Sequence, residues 1–209
     1  SIAIHRIDNL TGEGVEGLKS DILSMAENYQ STSSSPQFRL NVDRVFSKTG
    51  FGTVITGTVQ NGSAKNGDEI EILPSGIKTK IRGLQTHGGA TVSVIAGDRA
   101  ALNLAHVKSS DLTRGTVLAT PDCLLSTNRI LANISMTNST EWIIKNKQRV
   151  RFHIGTSEIL GRVTGKKLEK GQSGNVIIDL ESPVAVAMDD RFVVRSYSPM
   201  DTIAGGLVI

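Results

Sequence analysis

Two hydrophobic periodicities divide the chain. Within the first 35 residues, Val15, Leu18, Ile22 and Met25 recur at steps of three and four positions, which predicts a helix with one buried apolar stripe. From residue 36 onward, apolar and polar positions alternate in short segments rich in Val, Ile and Thr. Gly and Asn separate these segments at intervals of roughly 8 to 12 residues, which is typical of antiparallel strands in a sandwich or barrel.

The predicted strands form two sets, one on each side of the turn Thr120-Pro121-Asp122. We therefore expect a mainly β fold of two tandem antiparallel β-barrels, residues 36–121 and 122–209, without an internal repeat. Residues 1–35 are predicted to form a short strand at Ile2–Ile7, a helix over Val15–Glu27 and a linker at Ser31–Pro36. The barrel strands are predicted at Gln37–Phe46, Thr53–Val59, Asp68–Leu73, Ile77–Gln85 and Arg99–Ala105, then at Asn128–Met136, Arg149–Ile154, Ile159–Val163, Asn175–Leu180, Arg191–Arg195 and Ile203–Ile209.

Composition excludes several classes of protein. Hydrophobic residues make up 38% and charged residues 21%, and no apolar run approaches the roughly 20 residues of a membrane helix, so we expect no membrane partner. No secretory signal is visible at Ser1, and the single cysteine, Cys123, cannot build a disulfide framework. We therefore expect a cytoplasmic protein. The four histidines show no paired ligand spacing, so no metal site is predicted.

Sequence motifs for catalysis are weak. Gly12-x-Gly14-x-x-Gly17 matches the dinucleotide fingerprint in form, but the predicted helix leads into an all-β region rather than a second parallel strand. An ordinary strand-to-helix turn explains these glycines. No Gly-Lys-Ser/Thr triplet of a P-loop occurs, and no glycine-flanked serine or paired cysteine and base suggests a nucleophile. We expect no catalytic residues and no enzyme activity in this chain.

Positive charge concentrates in the second predicted barrel. Residues 145–170 contain eight basic and two acidic side chains. In Arg149–Ile154, alternation places Val150, Phe152 and Ile154 toward a core and the two arginines and His153 on the opposite face. Such a surface can neutralise nucleic-acid phosphates, although a solvated strand face is the simpler alternative. The candidate backbone-binding residues are Lys145, Lys147, Arg149, Arg151, Arg162, Lys166 and Lys167.

An arginine in the first predicted strand is unexpected. Arg44 shares the parity of the apolar positions Phe38, Leu40, Val42 and Phe46, so alternation turns it inward, where a guanidinium needs a partner or a pocket. Asp43 alternates to the other face unless a bulge intervenes. Arg99 begins a later strand of the same barrel and can converge on the same place. Both a structural ion-pair cluster and an anion pocket agree with this pattern.

Five stretches carry a resemblance. Asp43–Thr58 is similar to the first strand pair of domain II in translational GTPases, and its leading Asp-Arg resembles the selenocysteine-specific elongation factor family. Gly97–Leu104 is similar to a later domain II strand of that family, and Arg149–Glu158 and Asp190–Pro199 are similar to its domain III. Asp8–Gly14 resembles the last guanine-contacting loop of the GTPase domain, with Asp8 where serine is usual.

The resemblance implies a fragment of a factor that carries selenocysteinyl-tRNA to the ribosome. The aminoacyl end would lie on domain II, and the acceptor and T stems on domain III. An aspartate and two arginines form the selenocysteine pocket of the family, and they fall on Asp43, Arg44 and Arg99. Asp43 would either orient an arginine or meet the α-ammonium group. The family's GTP- and Mg²⁺-binding GTPase domain and the winged-helix domains that hold the selenocysteine insertion hairpin of messenger RNA are missing, so we expect no cofactor here.

Three other interpretations remain open. The chain can belong to a related translational GTPase, of the Tu type or the initiation-factor gamma type, which handles a different aminoacyl-tRNA. It can also be a β-barrel protein-interaction module whose basic face meets acidic proteins. A small enzyme is possible only if a cleft gathers titratable groups that the sequence separates.

Overall fold

The computed structural model describes residues 4–28, 35–48, 50 and 52–209. It divides into two compact units, Ser1–Thr32 and Ser33–Ile209. The predicted linker at Ser31–Pro36 lies largely outside the described residues. No helix of the described part is long and apolar enough to cross a lipid bilayer.

The N-terminal unit contains helix α1, Val15–Glu27, as predicted. Asp8 closes the preceding turn because its Oδ1 accepts hydrogen bonds from the backbone N–H groups of Leu10 and Thr11. Two expectations are wrong here. The described residues of Ile2–Ile7 form no strand, and no described strand pairs with them. The apolar stripe of α1 is not buried, since no residue of the helix is buried and Ile22 and Met25 are exposed.

The described part of the first barrel region contains nine strands, of which six form the closed barrel. Six of them, in the order β4, β9, β1, β2, β8 and β5, close through the pairing of β4 with β5, and β6 extends the sheet beyond β5. β3 and β7 form a separate two-stranded sheet. The strands are β1 Arg39–Lys48, β2 Gly52–Asn61, β3 Ser63–Lys65, β4 Glu69–Leu73, β5 Ile77–Thr86, β6 Gly89–Thr91, β7 Ser93–Ile95, β8 Arg99–Leu104 and β9 Val117–Ala119.

Six longer strands close the second barrel in the order β10, β13, β12, β11, β14 and β15, and all pairings are antiparallel. Its interior is apolar and includes the rings of Phe152 and Phe192, which are tilted by 41° with their centroids 4.6 Å apart. The strands are β10 Leu125–Met136, β11 Gln148–Ile154, β12 Ser157–Thr164, β13 Ser173–Val186, β14 Arg191–Ser196 and β15 Thr202–Val208. The predicted fold of two antiparallel β-barrels is therefore confirmed.

The two barrels are docked on each other. Arg39 of β1 donates two hydrogen bonds, of 2.7 and 2.8 Å, to the carboxylate of Asp190, and only 7% of its side chain is exposed. Thr156 of the second barrel donates to the carbonyl of Val42 at 2.6 Å. A small apolar cluster around Leu73 and Ala185 crosses the same boundary. Asp190 is also largely buried in this ion pair, with 19% of its side chain exposed.

Candidate functional site

A β-bulge in β1 determines the geometry of the Asp-Arg cluster, which we define as Asp43, Arg44 and Arg99. In the pairing of β1 with β2, Val42 lies opposite Gly57 and Arg44 opposite Thr56, so Asp43 is an extra residue between them. A bulge of this kind redirects side chains and locally bends the strand. The bulge that the sequence analysis left open is therefore present.

Asp43 and Arg99 meet at this bulge. Nη1 of Arg99 lies 2.6 Å from Oδ2 of Asp43, and the hydroxyl of Thr56 donates to Oδ1 at 2.7 Å. The hydrogen bond from Arg99 lowers the pKa of Asp43 most, and Thr56 and the charge of Arg44 lower it further. The carboxylate is thus fixed and ionised at neutral pH, while 56% of the Arg99 side chain remains exposed.

The inward orientation expected for Arg44 is wrong. The side chains of Phe38, Leu40 and Val42 are buried, but the bulge reverses the alternation after Val42. Arg44 and Phe46 are consequently exposed, while Val45 packs against the core. Arg44 therefore reaches the outer face of the barrel, close enough to Asp43 to lower the pKa of its carboxyl. The cluster is an open surface arrangement, with two cations and one anion.

A hollow of about 350 Å³ opens beside Arg99. Its wall includes the backbone turn at His87 and Gly88, which connects β5 to β6. His87 has a left-handed backbone conformation with φ 51°, and its Nδ1 lies 3.1 Å from the hydroxyl of Thr86. The sequence analysis predicts the strand that ends at Gln85 but not the place of the following turn beside Arg99. The antiparallel register of β5 and β8 brings them together, and this register is not evident from local patterns.

The basic surface comprises Lys145, Lys147, Arg149, Arg151, Arg162, Lys166 and Lys167. The predicted alternation of β11 is confirmed, since Val150, Phe152 and Ile154 are buried and the arginines between them are not. His153 shares the arginine face, but burial is the main reason that its pKa lies below 6.5. The imidazole is therefore neutral at physiological pH and adds no charge to this surface.

Several cations of the basic surface have carboxylate partners. Arg149 binds Glu181 through two hydrogen bonds of 2.8 Å, and Arg151 lies 2.6 Å from Glu158. Both guanidinium groups also lie against the ring of Tyr197, at 4.9 and 5.4 Å from its centroid. These partners were missed because Glu181 lies on β13 and Tyr197 directly after β14, far along the sequence.

The remaining positive charge is concentrated at one end of the second barrel. Lys167 pairs with Glu169 at 2.5 Å, and Arg162 donates to the carbonyl of Lys147. Lys145, Lys147 and Lys166 are exposed, and within residues 52–209 no carboxylate lies within ion-pair distance of them. Electrostatic attraction for an anion is therefore strongest around these three lysines.

A structural role explains the glycine just before α1. The turn before α1 uses Gly14 at φ 76°, and a Cβ there would overlap the backbone carbonyl of Arg6. This glycine is thus required by the packing of the chain on itself. In the described part, no group of three or more His, Cys, Asp or Glu side chains is arranged to hold a metal ion.

Comparisons with known proteins identify both barrels. The model of elongation factor Tu domain 2 matches residues 52–119, and the model of the selenocysteine-specific elongation factor β-barrel domain matches residues 127–209. The chain belongs to the selenocysteine-specific elongation factor family. It corresponds to domains II and III of these factors.

Relatives of this family match almost the whole chain. The selenocysteine-specific elongation factor of Desulfomicrobium baculatum is 40% identical over 202 residues, and that of Haemophilus influenzae is 34% identical over 203 residues. Each match covers 95% of this chain and 32% of the relative, so the chain spans about a third of the length of these factors.

Solved structures of the family share the fold. The bacterial selenocysteine-specific elongation factor EF-Sec superposes with a TM-score of 0.80 at 27% identity, covering 95% of this chain and 32% of that one. The apo elongation factor SelB of Methanococcus maripaludis gives a TM-score of 0.85 at 24% identity, covering 97% and 48%. The two-barrel arrangement is thus common to these proteins.

Proposed function

We propose that this chain binds selenocysteinyl-tRNA as part of a translational GTPase that delivers it to the ribosome. Residues 36–121 would be domain II and hold the aminoacyl end, and residues 122–209 would be domain III and bind the tRNA stems. Residues 1–35 would be the end of the GTPase domain, and GTP and Mg²⁺ would bind elsewhere in the parent protein. The observation that carries this proposal is the Asp-Arg cluster beside an open hollow.

The charge balance of the Asp-Arg cluster suits a selenolate. A selenol is more acidic than a thiol or a hydroxyl and is ionised at neutral pH, whereas the serine hydroxyl is neutral. Asp43 compensates one guanidinium and fixes Arg99 in place, so Arg44 leaves one net positive charge at the cluster. A fixed guanidinium favours an anion over a neutral group of similar size. Of the two roles considered for Asp43, the 2.6 Å contact supports the orientation of Arg99.

The basic surface supports RNA binding by the second barrel. Lysine and arginine side chains bind phosphates without reading sequence and make affinity depend on salt. The three lysines without carboxylate partners would contribute most. The carboxylates bound to the paired arginines offset part of the attraction of these arginines for phosphates. We assign Arg149, Arg151, Arg162 and Lys167 a lesser share of this binding.

The cargo assignment can be tested with the full-length factor. Affinities for selenocysteinyl-, cysteinyl- and seryl-tRNA would be measured for the native protein and for Arg44→Ala and Arg99→Ala. Loss of one charge-assisted hydrogen bond is expected to lower the preference for selenocysteinyl-tRNA over seryl-tRNA by about tenfold or more. Arg82→Ala, which removes an exposed arginine of β5 outside the cluster, serves as the control.

Two results would contradict the proposal. Unchanged discrimination in both cluster variants would remove the selenocysteine assignment and favour a Tu-type or initiation-factor gamma type factor. Failure of transfer RNA to compete with acidic proteins at physiological salt would instead favour a protein-interaction module.

A further inference from the structure

A second hollow lies at the end of the second barrel where the unpaired lysines are found. It has a volume of about 340 Å³, close to the lower limit of typical small-ligand sites of about 300 Å³. We call it the tryptophan hollow, since it contains the single tryptophan of the chain. It is lined by Glu141, Trp142, Ile143, Lys145 and Gln148.

The aromatic ring of this hollow is held in place but not enclosed. Trp142 packs against the core of the second barrel and remains partly exposed. Its backbone N–H donates to the hydroxyl of the buried Thr140 at 3.1 Å. Two residues further, Ile144 is fully buried and exchanges backbone hydrogen bonds with Leu168. The segment that carries the ring is therefore anchored on both sides, and the ring is positioned for contact with a ligand.

The charge around the tryptophan hollow favours an anionic partner. Lys145 lines it, Lys147 follows in the same turn, and Lys166 lies two residues from Leu168 on the paired segment. Glu141 is the only carboxylate of the lining, and Lys170 binds it at 2.7 Å and lowers its pKa. The acid at the rim is thus compensated, whereas the lysines are not.

We propose that the tryptophan hollow binds an unpaired nucleotide of RNA, with the base stacked on Trp142 and the flanking phosphates beside Lys145, Lys147 and Lys166. Stacking on an aromatic ring combined with a basic border is the usual way in which proteins hold single-stranded nucleic acid. The side-chain amide of Gln148 offers hydrogen-bonding groups for a base edge. An acidic peptide would use the lysines but would gain nothing from the flat ring.

This inference rests on the proposed RNA-binding function and adds a contact that duplex stems cannot make. Phosphates of a stem need only the lysines, because their bases are paired and stacked internally. An unpaired base, by contrast, presents its π-face to the indole. The two contributions can be separated because a ligand without bases retains the charge and loses the stacking.

Trp142 itself reports the binding. The 209-residue chain would be titrated with a single-stranded adenosine hexanucleotide, and tryptophan fluorescence would be recorded. Stacking is expected to quench the emission in a saturable manner, and an abasic ribose-phosphate oligomer of equal length is expected to bind about tenfold more weakly without quenching. Equal binding of both oligomers, or binding of the hexanucleotide without a change in emission, would overturn the proposal.

Variants test each part of the contact by anisotropy of a labelled hexanucleotide. Trp142→Ala is expected to weaken binding about tenfold. Trp142→Phe keeps an aromatic ring, although a smaller one, and preserves the core packing, so it is expected to lose less affinity than Trp142→Ala. An equal loss of affinity in a folded Trp142→Phe protein would count against stacking. Lys145→Glu is expected to weaken binding and reduce its salt dependence, whereas Lys65→Glu on the first barrel is expected to do neither.

Two further titrations with natural RNAs distinguish the source of the unpaired nucleotide. Quenching by deacylated transfer RNA would assign it to the tRNA body, and quenching by a messenger RNA hairpin with an unpaired loop would assign it to a template. Quenching by polyglutamate equal to that by the hexanucleotide would overturn the RNA assignment. If the hexanucleotide fails to bind while transfer RNA still binds, the hollow is excluded but the proposed function stands.

Discussion

The carboxylate of Asp43 gathers the groups of the proposed cargo site. It accepts hydrogen bonds from Thr56 on β2 and from Arg99 on β8, two strands that pair side by side. Arg99 is more than half exposed, and this one contact with Asp43 limits the directions in which its guanidinium can point. Because the guanidinium is held in place before the ligand binds, less conformational entropy is lost on binding. The anion of this cluster would therefore serve the proposed binding site, whose net charge is positive.

Asp43→Asn is expected to change how stability depends on pH. The hydrogen bond from Arg99 places the folded-state pKa of Asp43 below the usual 3.8, so its contribution is complete above about pH 4 and is lost as the pH falls through the folded value. The difference in free energy of unfolding between native and variant proteins should be constant from pH 5 to 7 and shrink toward zero in acid. Urea unfolding at several pH values measures it.

The reference for this experiment is Asp201→Asn, which changes an exposed aspartate of the second barrel. A stability difference for Asp43→Asn that stays the same down to pH 2 would show that its carboxylate does not stabilise the folded state through Arg99.

At the scale of single elements, β11 and β1 show what a strand pattern can predict. In β11, apolar and charged residues alternate without interruption, and the structure follows this pattern throughout. In β1 the same rule holds as far as Val42 and then fails, because the bulge at Asp43 inserts one residue opposite Gly57 and Thr56. A bulge depends on the partner strand, so the sequence of β1 alone cannot place it.

The predictions for other elements are incomplete for related reasons. The periodicity of α1 predicts its apolar stripe correctly, but burial requires a partner surface, and among the described residues no side chain of α1 is buried. The three-residue strands β3, β6, β7 and β9 were missed because alternation cannot be recognised over so short a length. The cations of the basic surface were identified, but their carboxylate partners depend on the strand order of the barrel.

The lysines at the end of the second barrel should dominate the salt dependence of RNA binding. Lys166→Glu is expected to weaken binding of transfer RNA regardless of the esterified amino acid and to reduce the slope of log K against log salt by about one. Lys65→Glu makes the same charge change on the first barrel and is expected to leave the slope unchanged. An unaltered slope for Lys166→Glu would remove this end of the barrel from the RNA interface. Filter binding at several salt concentrations measures both.

For the whole molecule, the ion pair between Arg39 and Asp190 joins residues that are 151 positions apart. No local pattern predicts such a contact. In the alternation of β1, Arg39 has the pattern of an ordinary polar residue. In the structure the pair is largely excluded from water, and Asp190 also accepts the backbone N–H of Ala187. Removing one partner of a buried ion pair lowers the free energy of unfolding strongly, because the other charge is left buried without a partner.

Arg39→Met is expected to destabilise the docked barrels by about 3 to 5 kcal/mol, since Asp190 keeps its charge in a mostly buried position. Urea unfolding monitored by Trp142 and by far-UV circular dichroism should then give two separate transitions instead of one. Lys78→Met removes a cation of the exposed pair with Asp122 and should leave the transition almost unchanged. Equal effects of the two substitutions would contradict a structural role for the buried pair.

Gly155 permits close approach of the barrels. It has φ 54°, and a Cβ there would lie 2.7 Å from Nδ2 of Asn41 in the first barrel. Gly155→Ala is therefore expected to destabilise the chain by about 1 to 3 kcal/mol more than backbone strain alone.

Gly67→Ala supplies the strain reference for this comparison. Gly67 has φ 91° and open space around its Cβ position, so alanine there costs only the backbone term. Equal free energies of unfolding for the two variants would show that the barrels can separate slightly at Gly155 without cost.

Closure of the two sheets has a consequence for intermolecular association. Within the described residues, each six-stranded sheet closes on itself through antiparallel pairing, and the added or separate strands β3, β6 and β7 have three residues each. Long unpaired strand edges are the templates on which β proteins recruit further copies into aggregates. Few such templates are found among the residues that the structure describes, so concentrated samples should resist fibril formation even though most of these residues lie in strands.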